Sequence, residues 1–130
     1  MMNRVQQLYK VQCRVMPIKQ QIIILNNFNP DNYTYFDVNK NKLISCLADI
    51  LFNGYMLVPD FQKTFSRKQV FDFIYFINKF IDSLNSDNNR YVIRESLYIH
   101  NYFIDGKEYE YFTFKDFTGG RGYNEFPWSK

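Results

Sequence analysis

The sequence predicts an α+β domain: a two-layer fold with an antiparallel sheet of four to five strands and two amphipathic helices on one face, in the order β-β-(β)-α-α-β-β. Three observations carry that prediction. Apolar and polar residues alternate with a period of two near both ends of the chain, stripes of period 3.6 fill its middle, and an Asp-Gly turn joins two long β-prone runs.

From Leu8 to Met16, Tyr9, Val11, Cys13 and Val15 alternate with Lys10, Gln12 and Arg14, the pattern of a strand with one buried face. Pro17 is expected to end it. The run Ile22-Ile23-Ile24-Leu25 then reads as a second, more buried strand, and the two would form an N-terminal hairpin. Asn26 to Asn32 is dense in turn-forming Asn, Pro and Asp, and a short strand over Tyr33 to Val38 is expected after it.

Asn39 is placed as the N-cap of a helix over about 40–53 that carries Leu43, Ile44, Leu47, Ile50 and Leu51, with Gly54 ending it in the left-handed conformation. A loop containing Pro59-Asp60 follows. Ser66-Arg67-Lys68-Gln69 then matches a capping box, with Phe65 and Val70 as its hydrophobic staple, and opens a helix over about 67–84. Val70, Phe73, Ile74, Ile77, Phe80, Ile81 and Leu84 form its apolar stripe, while Asp72, Tyr75, Lys79 and Asp82 fall opposite. Ser86 to Asn89 is a polar break.

Arg90 to Ile104 and Lys107 to Phe117 flank Asp105-Gly106, a pair that supplies the positive φ angles of a type I′ turn. A two-residue turn sets the register. Ile104 faces Lys107, Tyr102 faces Tyr109, His100 faces Tyr111 and Tyr98 faces Thr113. Leu97, Ile99, Phe112 and Phe114 then share the core face. Tyr98, His100, Tyr102, Tyr109 and Tyr111 share the other, flanked by Arg94 and Lys115, and this face is expected to be partly exposed. Residues 1–117 read as one domain and 118–130, with Gly119-Gly120-Arg121-Gly122 and Trp128, as an irregular tail.

Composition narrows the function classes. The 130 residues suit a single domain that needs no metal or disulfide, and Cys13 and Cys46 lack the short spacings of zinc or redox motifs, so buried thiols in a reducing cytoplasm are expected. The stretch Met1 to Gln12 has no apolar segment of signal-peptide type, and no membrane span is expected. A net charge of +3 is spread along the chain without the basic stripe of a strong polyanion binder. Fourteen Asn, 14 Phe, 12 Ile and 11 Tyr against one Ala match AT-rich codons, so aromatic abundance partly reflects the coding sequence, of a kind that phages and mobile elements carry.

No catalytic constellation emerges. His100 is the single histidine, so any histidine acid or base must be this residue. Pro59-Asp60 with Asp105-Gly106-Lys107 is faintly similar to a metal-dependent nuclease pattern, but that pattern needs its lysine on a core strand rather than at a hairpin tip. No cofactor, metal or small-molecule ligand is expected. The leading expectation is a non-enzymatic protein-binding module, docking a partner or itself through the tyrosine face of the hairpin, as an accessory or inhibitor protein would. A virion assembly component is a variant of this. The alternative is a single-stranded nucleic-acid binder that stacks bases on the same tyrosines beside Arg94, Lys115 and Arg121.

Overall fold

The computed structural model describes residues 15–32, 39–88 and 93–116. In chain order these contain helix α1 (Ile18–Asn27), a 3-10 turn (Pro30–Asn32), helix α2 (Lys40–Asn53), strand β1 (Met56–Leu57), the one-turn helix α3 (Val58–Phe61), helix α4 (Arg67–Asn88) and strands β2 (Glu95–Ile104) and β3 (Lys107–Asp116). The α+β class holds. The sheet of the described residues has three strands, all antiparallel, in the order β1-β3-β2, rather than four to five.

The N-terminal hairpin is corrected. Ile22 to Leu25 is not a strand but the body of α1, with Pro17 as its N-cap instead of a strand terminator. Pro17 accepts from the N–H groups of Gln20 and Gln21 through its carbonyl, at 2.9 and 3.1 Å, which starts the helix. Three consecutive isoleucines suggest a strand by propensity, but helical spacing decides the outcome: Ile24 and Phe28 are buried, Ile22 is exposed, and Gln21 is buried with its Nε2 donating to the carbonyl of Met16 at 2.7 Å. Of the first expected strand, Val15 and Met16 are described and belong to no strand. The rest of it with Cys13, the expected strand over Tyr33 to Val38, and the tail with Arg121 and Trp128 lie outside the described residues.

The two main helices form where their caps place them. Asn39 accepts from the Asn41 N–H at 2.9 Å, and Gly54, at φ 87°, closes α2 with its N–H on the carbonyl of Ile50. Ser66 and Gln69 make the reciprocal bonds of a capping box at 2.8 and 3.3 Å, and the staple residues Phe65 and Val70 are both buried. α4 runs one turn past its expected end, to Asn88. Between the helices, the segment expected to be only a loop holds β1 and α3, with Pro59 in the first turn of α3, where its missing N–H costs nothing.

One core joins all layers. Leu43, Leu47, Ile50 and Leu51 of α2, Val70, Phe73, Ile77 and Ile81 of α4, and Leu97, Phe112 and Phe114 of the hairpin are buried together, with Ile99 packed against them. Phe61 sits at its centre. Its ring stacks on Phe65 and meets Phe73 and Phe112 at centroid distances of 5.0 and 5.1 Å, the tilted and edge contacts that aromatic quadrupoles favour.

Candidate functional site

The hairpin forms as its turn dictates. Asp105 and Gly106 have φ of 53° and 81°, both positive as a type I′ turn requires, and the pairing runs from Ile104↔Lys107 to Glu95↔Asp116 in the expected register. Its two faces differ as the alternation predicts, and the second face is itself graded.

On that second face, Tyr111, Thr113 and Lys115 of β3 are buried, at 0%, 1% and 1% exposure. β3 is the central strand, so Tyr111 and Thr113 stand between β2 on one side and the segment Gly54 to Leu57 on the other. Tyr55 meets Tyr111 edge-on at 6.4 Å, Leu57, Tyr102 and Tyr109 pack around it, and Thr113 Oγ1 donates to the carbonyl of Gly54 at 2.6 Å. Tyr98, His100, Tyr102 and Tyr109 are half-buried, and Arg94, just before β2, is exposed. The face thus has a closed inner part and a more open outer part.

The inner part holds a compact polar cluster. The ammonium of Lys115 lies 3.0 Å from Nδ1 of His100 and 4.0 Å from the ring centroid of Tyr98. An ammonium has only donors, so Nδ1 accepts and the imidazole proton resides on Nε2. Burial, with Lys115 adding its charge, pushes the His100 pKa down to about 4, so the ring is neutral at pH 7. Tyr111 closes the cluster, its ring 5.5 Å from the imidazole. The sequence placed Lys115 at the rim of an open face; the structure sets it inside.

Near the turn the first face opens as well. Phe103 lies on the face whose continuation is core, yet is 66% exposed, and its neighbours Asn101, Lys107 and Glu108 are exposed too. Arg67, at the start of α4, reaches this part and grips Glu110 through two bonds of 2.7 and 2.8 Å, a bidentate pair that holds the Glu110 pKa below its usual value. The guanidinium also lies 5.2 Å from the ring of Phe71, which is 54% exposed. Phe71 falls outside the helix's apolar stripe, and only its type could have flagged it.

Elsewhere, a groove of about 430 Å³ beside β1 is lined by Lys42, Asp49, Asn53, Tyr55, Asp60 and Lys63, of which Asp60 and Lys63 pair at 3.2 Å. Cys46 is buried, and burial, with Asp49 nearby, raises its pKa to about 11, which keeps the thiol protonated and unreactive. Among the described residues no group of three or more His, Cys, Asp or Glu converges on a metal position, and no helix is long and apolar enough to cross a membrane. Comparison with protein families, with curated proteins and with solved structures finds no match to this chain.

Proposed function

We propose that this chain is a non-enzymatic protein-binding module whose contact element is the outer half of the hairpin, Asn101 to Glu110. The observation that supports this is Phe103, 66% exposed near the turn on the same strand face as the core residues Leu97 and Ile99. Leaving a phenylalanine in water forgoes about 1.5–3 kcal/mol of burial, which a partner covering it would recover. On the opposite face of the same tip, Tyr102 and Tyr109, paired across the strands and half-buried, offer flat apolar area with polar ends, the composition of contact patches. Tyr98, His100, Tyr111 and Lys115 continue the tyrosine face behind Tyr102 and Tyr109, and Arg94 stands just before the same strand. The AT-rich composition fits an accessory or inhibitor protein of a phage or mobile element, acting in the host cytoplasm.

The test is capture from an extract of the source organism, using the wild-type chain and a Tyr102→Ala/Tyr109→Ala variant side by side. A partner retained by the wild type and lost by a variant of unchanged circular dichroism supports the reading. Equal capture by both removes the hairpin from the contact.

A further inference from the structure

Among the described residues, the outer edge of β2 is closed along one half and open along the other, and the closing groups show what chemistry fits it. Asn78 donates from Nδ2 to the Leu97 carbonyl at 2.8 Å and accepts on Oδ1 from the Leu97 N–H at 2.6 Å. Seven residues on, Asn85 does the same to Ile93, with both bonds at 2.9 Å. A primary amide carries the donor and acceptor of a peptide group, so these two side chains occupy the edge as an added strand would.

Those bonds also fix the direction of the remaining backbone groups. Leu97 points its N–H and carbonyl away from β3, and antiparallel alternation gives Ile99, Asn101 and Phe103 the same outward direction. Each heptad step along α4, about 10.5 Å, matches four residues of β2, about 13 Å, with the reach of the amides making up the difference. One step further back, the residue level with Asn101 is Phe71, which can neither donate nor accept. The helix also leaves the edge here. Its first turns lie over the central strand, where Arg67 holds Glu110 and Phe73 meets Phe112 at 5.6 Å. Among the described residues, no strand pairs with β2 on this side.

We infer that the open edge from Ile99 to Phe103 pairs with the same edge of a second copy of this chain, antiparallel and centred on Asn101. The inference rests on the reading of the hairpin as a contact element and names its partner. A two-fold axis through Asn101 sets Ile99 against Phe103 of the second copy, Asn101 against Asn101, and His100 against Tyr102. Aliphatic meets aromatic, amide meets amide, and imidazole meets phenol. Ile99 and Phe103 point their backbone groups outward together, so the register makes about six inter-chain hydrogen bonds. The register is self-complementary and carries no charge that a copy would meet with its own sign: Ile99-His100-Asn101-Tyr102-Phe103 has none at pH 7, since His100 is neutral, so nothing on the edge repels its own image. The lysines, prolines and bulges that keep edge strands apart are missing from this stretch. Phe103, more than half exposed, borders the seam and gains cover.

The register makes a specific experiment possible, sedimentation equilibrium of the full chain from micromolar to about millimolar concentration, with circular dichroism as the check on folding. The wild type is expected to shift from monomer to dimer mass across this range. Asn101→Lys alone and Asn101→Asp alone place like charges on the axis and are expected to remain monomeric, while their equimolar mixture recovers the dimer. Asn101→Pro removes an N–H that β3 does not use and is expected to give a folded monomer. A wild type that stays monomeric throughout overturns the inference, as does an Asn101→Lys variant that dimerises like the wild type, or a mixture that fails to recover the dimer. A monomeric wild type that still captures a protein through Tyr102 and Tyr109 overturns self-pairing and leaves the contact reading standing; loss of both results overturns both.

Discussion

The side chain of Asn78 pairs with the backbone of Leu97 as a neighbouring strand would, donating to its carbonyl and accepting from its N–H. This places helix α4 in register with strand β2, a relation that apolar packing alone would leave free to slide. Asn78→Asp keeps the acceptor, loses the donor and turns a negative oxygen toward the Leu97 carbonyl. The expected cost is about 2–3 kcal/mol at neutral pH, read as a lower urea midpoint. Protonating the introduced carboxyl, near pH 4, should restore part of it. Asn78→Leu should cost about as much with no such recovery.

His100 gives the protein an acid-sensitive window. Its imidazole takes a proton near pH 6.5 when unfolded but only at about pH 4 when folded, so between these values the unfolded state binds more protons. Its contribution is therefore fully present above pH 6.5 and lost as pH falls toward 4. The ring is half-buried, and after allowance for solvent screening the loss is on the order of 2 kcal/mol. Urea unfolding at pH 7, 5.5 and 4.5 should show this decline, and His100→Gln should flatten it. A wild-type profile as flat as that of the variant would contradict the depressed pKa.

Thr113 joins the hairpin to the end of α2. Its hydroxyl donates to the Gly54 carbonyl at 2.6 Å inside the protein. Thr113→Val preserves shape and removes the donor, leaving a buried carbonyl one bond short. A loss of about 1–2 kcal/mol is expected, together with faster amide exchange at Met56 and Leu57, two and three residues after Gly54. If exchange at β1 is unchanged, Gly54 does not depend on this bond.

What could be read from the sequence followed the reach of each signal. Asp105-Gly106, Asn39 with Gly54, and Ser66 with Gln69 act within four residues, and each formed as its local chemistry requires. The hairpin register followed because a two-residue turn allows one pairing. Ile22-Ile23-Ile24 misled because β-branched residues favour strands only when a sheet is there to receive them, and here α2 offers α1 a helical groove instead. The candidate site was legible as a pattern of two faces. Its grading was not, since burial of Tyr111 follows from β3 being central, and that depends on the two-residue strand β1, too short to leave a periodic signal. The asparagine clasps were hidden for a similar reason. Asn78 and Asn85 look like solvated helix positions until the strand beside them is placed.

Tyr111 and Phe112 are enclosed on four sides. β1 and β2 flank their peptide groups, while the two side chains, one on each face, are completely buried. Alternation turns the Tyr111 N–H toward β2 and the Phe112 N–H toward β1, so water reaches the first only when the long hairpin parts and the second when β1 lifts away. Their exchange with solvent deuterium thus separates two events, with Tyr111 timing the opening of the hairpin and its core and Phe112 timing the release of β1.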